Sequence, residues 1–291
     1  MTRHFLTDDD VARRRHFLTD DDMARRAPAI FATAAHETRS SRYAYVPTVD
    51  ILHSMRREGF YPTHVSQAKT RNSDKAGHTK HLIRFRREVE ASEVEAREVI
   101  LLNSHDGSSG AQLMAGVFRF ACANGLIVGQ SDTEVKVRHS GNALGDIIDG
   151  AYTVVTQFDQ VSERIDAMKC ITLTPERRHT FANAALQLRY DDVHSCGLQA
   201  SQLLRARRSS DTNLDLWSTF NCVQENMLRG GQHGAKYGLD GRRRRMSSRA
   251  INGIDQNVAL NRGLWVLAEA MGEVVDVREA LIKMWGPRAA A

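Results

Sequence analysis

The sequence predicts an α+β protein with a mostly antiparallel sheet and packed helices in its N-terminal half and an all-helical C-terminal half. Three observations carry that prediction. Short runs that alternate apolar with polar residues fill the stretch after Phe60, clusters of Gly, Asn, Asp and Ser separate them, and from Gly141 onward apolar residues recur every three to four positions. The 291 residues, 42% of them hydrophobic, suffice for one large core or two smaller ones.

The chain opens on a tandem duplication. Arg3 to Arg14 reads RHFLTDDDVARR and Arg15 to Arg26 reads RHFLTDDDMARR. In each copy a Thr followed by three Asp residues has the form of a helix N-cap with carboxylates at the positive end of the dipole, so a short helix or an arm is expected. Two copies cannot build a solenoid, and one of them is redundant. Residues 1–42 are therefore set apart as an N-terminal arm.

From Pro47 to Gly59, Val49, Leu52 and Met55 keep helical spacing and Gly59 ends the run. Phe60 to Lys69 reads as extended, and the polar TRNSDKAGHTK that follows reads as a connecting loop. In HLIRFRR, His81 to Arg87, Ile83 and Phe85 point one way while Lys80, Arg84 and Arg86 point the other, which predicts a half-buried strand with a cationic outer face. Glu88 to Glu98 is expected to be an exposed acidic connection before a central strand at Val99 to Asn103. After the turn residues of SHDGSSG, the spacing of Leu113, Val117, Phe118 and Ala121 predicts a helix over 111–123, closed by Asn124-Gly125. LIVG and EVKVRH add two short strands.

A boundary is placed near residue 141, between a basic α+β domain (43–141) and a helical domain (142–291). Beyond it Leu144, Ile147, Ile148, Ala151, Val154, Val155, Phe158, Val161 and Ile165 form one apolar stripe. Thr174-Pro175 is an N-cap followed by Pro at the first helical position. Two long helices are expected over 212–229, ending at Gly230-Gly231, and over 247–271. A last short helix is capped by Asp276 and Glu279. On the helix of residues 212–229, Asn221, Gln224, Glu225 and Asn226 make a polar face that reads as a buried hydrogen-bond network or a contact surface, the network being preferred.

Cys122, Cys170, Cys196 and Cys222 lie far apart without metal-site spacing, which fits free thiols in a reducing cytoplasm. The N-terminus lacks the order of a secretion signal, and the most apolar stretch, Ala111 to Gly129, is broken by Arg119 and Asn124, so no membrane segment is expected. There is no P-loop and no G-x-G-x-x-G after a strand, and His78 and His81 lack a carboxylate set to complete a metal site. No cofactor is expected, and no residue is assigned as catalytic.

Net charge is +5, which is mild, so the placement of the charges decides. The stretch GGQHGAKYGLDGRRRRMSSR, the loop of residues 230–246 with its flank, holds Lys236, Arg242, Arg243, Arg244, Arg245 and Arg249 against the single acid Asp240. Such a segment can wrap a polyanion as counterions leave the phosphates, or serve as a solvated linker. A second cluster includes Lys69, Arg71, Lys80, Arg84 and Arg86, which could track a backbone along a strand face or form an ordinary exposed one. Third, Asn103, Ser104, His105, Asp106 and Ser108 sit at a strand end ahead of the expected helix, where they read first as a structural turn that caps it and second as an anion site on its free N–H groups. Ser104, His105 and Asp106 are adjacent and alternate in direction, so they do not form a relay by themselves.

The segments VILLNSHDGSSGAQLMAGVFRFACANGLIVG, LWSTFNCVQENMLRGG and LNRGLWVLAEAM resemble an uncharacterised phage- and plasmid-borne family, domain of unknown function 932, over about Tyr43 to Met271. The resemblance implies a mobile-element context in bacteria and brings no established reaction and no catalytic residues. The order of elements is also similar to the core of single-strand annealing recombination proteins, a fold-level analogy. The expectation is a cytoplasmic accessory protein of a phage or plasmid that binds nucleic acid, single-stranded DNA first, through its backbone, in an annealing or recombination role and as a homo-oligomer. The alternatives are an interaction protein that inhibits a host defence factor and a hydrolase centred on the SHDGSS loop.

Overall fold

The computed structural model describes residues 17–39, 43, 45–87, 95–120, 124–128, 134–137, 142–191, 196–237 and 242–272. The chain divides into two compact units, one up to Phe158 and one from Asp159 onward. The α+β prediction holds: strands fill the N-terminal part, and the C-terminal part is helical apart from one two-stranded ribbon.

In the first unit, helix α1 (Asp20–Arg26) is built from the second copy of the duplication. Thr19 accepts from the Asp22 amide while the Asp22 carboxylate reaches back to Thr19, a capping box. The first copy lies outside the described residues. Helix α2 (Thr48–Arg57) is the one expected, and Gly59, at φ 80°, turns the chain into the sheet.

Strands β1 (Tyr61–Gln67), β2 (His81–Arg86), β3 (Glu95–Asn103), β4 (Ala111–Arg119) and β5 (Asn124–Ile127) form an antiparallel sheet in that order, and β6 (Val135–Val137) pairs with β4. Two expectations are corrected here. Residues 111–119 are a strand and not a helix, and Asn124-Gly125 opens β5 where it was read as a helix cap. The cause is that β4 is covered on both faces. A short run that is apolar on both sides carries no period-2 signal, so it cannot be told from a buried helix.

Opposed residues of an antiparallel pair share a face. One face therefore gathers Ile83, Phe85, Val99, Leu101, Leu113, Ala115 and Val117. Helix α3 (Ala143–Thr156) packs on it at Gly150, where an added Cβ would lie 2.7 Å from Leu113 Cδ1 and 2.9 Å from Val135 Cγ1. This helix was expected to open the second domain, beyond residue 141, yet it belongs to the sheet unit.

Thr48, at the start of α2, ties this face to β2 and β3. Its Oγ1 lies 2.8 Å from His81 Nε2, 3.0 Å from His105 Nε2 and 2.9 Å from Asn103 Nδ2. His81 Nδ1 lies 3.0 Å from the Thr79 carbonyl and must donate to it, so its Nε2 accepts the one hydroxyl proton of Thr48. Thr48 then accepts from Asn103 and from His105 Nε2–H, which uses the full capacity of a hydroxyl.

Burial pushes the His81 pKa down to about 4, against smaller opposing effects of the Thr79 carbonyl and Asp106. Above pH 6.5 neither state of the chain is protonated at His81, and the residue is silent. Between 6.5 and 4 only the unfolded chain takes the proton, so stability falls as pH falls, by about 3 kcal/mol in full. Urea midpoints at pH 7, 5.5 and 4.5 are expected to show this loss in the native chain and a shallower one in His81→Gln. Parallel slopes in the two proteins would contradict it.

The second unit opens within α4 (Phe158–Cys170), of which all but Phe158 belongs to it, followed by α5 (Pro175–Gln187), the short α6 (Ala200–Leu203), α7 (Leu216–Arg229) and α8 (Ile254–Gly272). Thr174 caps α5 ahead of Pro175, and Asp215 caps α7 through the Ser218 amide. The core is aromatic: Trp217 stacks on Phe220 at 5.4 Å, and Phe220 meets Trp265 at 6.3 Å and Phe181 at 6.5 Å. Cys170, Cys196 and Cys222 are free thiols, and Cys122 lies outside the described residues. The helix expected at Asp276 and Glu279 lies outside them as well. Among the described residues no helix is long and apolar enough to cross a membrane.

Candidate nucleic-acid interface

The strongest cationic feature stands on an element the sequence did not reveal. In place of the loop expected over residues 230–246, β7 (His233–Tyr237) and β8 (Arg243–Ser247) form an antiparallel ribbon with Lys236 opposite Arg244 and Ala235 opposite Arg245. Period-2 burial was invisible here because the strand Arg243–Ser247 is solvated on both sides, so it has no apolar face to alternate. Lys236, Arg242, Arg243, Arg244, Arg245 and Arg249 are all exposed.

The polar face of α7 fixes the root of this ribbon. Asn226 is buried, and its Nδ2 donates to the carbonyls of Leu203 (2.8 Å) and Arg205 (2.9 Å), while its Oδ1 accepts from Arg207 (2.7 Å) and Gln232 (2.9 Å). Gln224 donates to Asn261 on α8 at 3.0 Å, and Glu225 is paired with Arg208 and Arg229. The face is thus a hydrogen-bond network, the preferred of the two readings. Gly230 ends α7 at φ 63°, and a Cβ there would lie 2.6 Å from the Ser248 carbonyl, so the two chains of the root meet backbone to backbone.

Along its outer edge β7 is held by residues 197–202. The Ala235 amide donates to the Gly197 carbonyl at 3.1 Å, and the Gln202 side chain donates to the His233 carbonyl. A Cβ on Gly234 would lie 1.8 Å from that Gly197 oxygen. Nothing in the run CGLQ signalled this contact, because backbone-to-backbone approach leaves only glycines as its trace.

The second cluster is not assembled as expected. Lys69 and Arg71 are exposed in the loop before β2, and Lys80 is half-buried at its edge. Arg84 and Arg86 do point away from Ile83 and Phe85, but that face is buried too, which corrects the outward cationic face. Both guanidiniums close on Glu98, Arg84 at 2.7 Å and Arg86 at 2.8 Å. Arg84 also donates to the Leu126 carbonyl, and Arg86 lies over the rings of Phe118 and Phe120, 5.1 Å from each centroid. Glu98, read as part of an exposed acidic stretch, is fully buried and also accepts from Thr63. Burial pushes its carboxyl up, and the two arginines overcome this and hold it below the usual carboxylate range.

The SHDGSS loop connects β3 to β4, so there is no helix N-terminus to attract an anion and that argument falls. Asn103, Ser104 and His105 are turned inward. The Ser104 hydroxyl donates to the Ser109 carbonyl and accepts from the Ser109 amide, and His105 engages Thr48. Asp106 accepts from the Ser108 amide, and Ser108 is exposed. The outer side of the loop borders a cleft of about 470 Å³ lined also by Arg39, Tyr43 and Lys136. Among the described residues no group of three metal-ligating side chains comes together.

Fold and site define a two-unit α+β protein that presents an arginine-rich β-ribbon from its helical unit. Residues 35–265 match the family described as Domain of unknown function (DUF932), and the chain belongs to it. It is 44% identical over 246 residues to the UPF0380 protein YafZ of Escherichia coli (strain K12), which covers 84% of this chain and 88% of that protein. To the UPF0380 protein YfjQ of the same organism it is 43% identical, with the same coverage. No solved structure matches the chain.

Proposed function

We propose that the protein binds nucleic acid through the phosphate backbone, single strands of DNA first, with the β7–β8 ribbon as the grip. The observation that carries this reading is the exposure of Lys236, Arg243, Arg244 and Arg245 on one ribbon, with Arg242 and Arg249 exposed just beyond the ends of β8. Arginines on an exposed ribbon have no core role, and their fork of donors suits phosphate oxygens. On the sheet unit, Lys69 and Arg71 are exposed as well. Arg84 and Arg86 take no part, because their charge is spent on Glu98. An accessory role in annealing or recombination on a mobile element is consistent with backbone-directed binding that ignores sequence.

The test is fluorescence anisotropy of a labelled oligonucleotide over a salt series. Affinity should fall steeply with added salt, and converting Arg242, Arg243, Arg244 and Arg245 to Ala should reduce the slope of log K against log salt by roughly 3, since each phosphate contact on a single strand contributes about 0.7. Helicity should not change. An unaltered slope in the variant, or no salt-sensitive binding in the native chain, would remove the proposal.

A further inference from the structure

We propose that the cleft beside the ribbon receives one unstacked base of the bound strand, so that the protein detects the absence of a pairing partner; this rests on the nucleic-acid reading above. Between the ribbon and residues 197–202 lies a cavity of about 790 Å³, within the size range of small-ligand sites. Arg243 and Arg245 line it together. Two positions apart on one strand, they leave the same face about 7 Å from each other, the scale on which phosphates repeat along an extended strand. Lys236 and Arg244, paired across the ladder, leave the opposite face.

Two successive phosphates held by Arg243 and Arg245 would place the nucleoside between them over the cavity. Its lining there changes from charge to the chemistry of a base. Leu198 and Ala235, the latter opposite Arg245 on the same face, offer apolar surface for the ring faces, and the exposed side chain of Gln199 offers an amide that both donates and accepts, as base edges require. The Gln202 side chain is already engaged, its nitrogen donating to the His233 carbonyl and its oxygen accepting from the Gln199 backbone N–H, so it fixes the wall and leaves recognition to the Gln199 side chain. A base inside a duplex must be unpaired and unstacked before it could enter, whereas in a single strand only stacking is lost.

The discriminating probe is an abasic phosphodiester strand compared with a deoxythymidine strand of equal length and charge. The abasic strand is expected to bind about tenfold more weakly at one salt concentration, with the same salt slope, because the phosphate contacts are unchanged. Equal affinity would overturn base insertion and leave the backbone grip standing. Failure of both strands to bind would overturn the nucleic-acid reading itself and this inference with it. A Gln199→Ala variant keeps every cation and should hold the deoxythymidine strand only as well as the abasic one. Native affinity in that variant would also overturn the inference.

Discussion

Glu98→Gln is expected to destabilise the sheet unit by about 3–5 kcal/mol, the range found when one partner of a buried ion pair is removed. Glu98 has no exposed surface, and it is the shared counter-charge for Arg84 and Arg86, themselves 6% and 3% exposed. The substitution leaves two guanidiniums buried with no carboxylate between them. A neutral amide oxygen can still accept one hydrogen bond, so the loss is mainly of charge and not of shape. Chemical denaturation at pH 7 measures it, with the signal of the sheet unit followed. Replacing Arg84, Arg86 and Glu98 together by Met, Leu and Leu should recover much of the stability, since well-packed apolar side chains often match a buried charged triad. If Glu98→Gln unfolds at the same denaturant concentration as the native chain, the triad holds nothing.

The same site sets an acid limb distinct from that of His81. The Glu98 carboxyl is held below its ordinary value near 4.5 in the folded chain, so its contribution is present above that value and is lost as pH falls through the folded pKa. His81 acts higher, between 6.5 and about 4. Stability lost first between pH 6.5 and 4.5 comes from imidazoles, since burial, with Arg84 nearby, pushes His64 down to about 4 as burial does His81, and Glu98 adds to the further loss below.

Where one side of an element met solvent or a cap, the sequence was sufficient. Thr19 with Asp22, Gly59, Thr174 ahead of Pro175, and Gly230 all mark the ends they were read to mark, because caps and positive-φ turns depend on local chemistry. Burial on both faces defeated the same reasoning. Strand β4 shows no alternation, and Arg84 and Arg86 looked outward because a long-range partner, Glu98, could not be inferred from neighbours in sequence. The charge of the ribbon was legible in its arginines, whereas its shape was not. What makes it a ribbon is a ladder between strands solvated on both sides and a backbone contact with Gly197, neither of which leaves a hydrophobic pattern.

That contact makes Gly234→Val the substitution with the largest expected effect on the binding surface. Even a methyl at this position would sit 1.8 Å from the Gly197 carbonyl, which is backbone and cannot step aside. Gly197 is itself held at φ 77°, and a Cβ there would be 2.5 Å from the Ala235 carbonyl, so neither chain can yield toward the other. The ribbon must lift off residues 197–199, breaking the Ala235 to Gly197 hydrogen bond at 3.1 Å and the Gln202 contact with His233. Overpacking of this kind costs about 1–3 kcal/mol. The unit survives it, because the aromatic core of Phe181, Trp217, Phe220 and Trp265 lies elsewhere and is untouched. The expected result is therefore local: fast hydrogen exchange at the Ala235 amide, slow exchange retained in α7 and α8, and an unchanged salt slope, since every cation remains on the chain. The preference for the deoxythymidine strand over the abasic strand should disappear, because the cleft wall has separated from the arginines that face it. An Ala235 amide that stays protected in the variant would show that the ribbon is not held where the glycines meet.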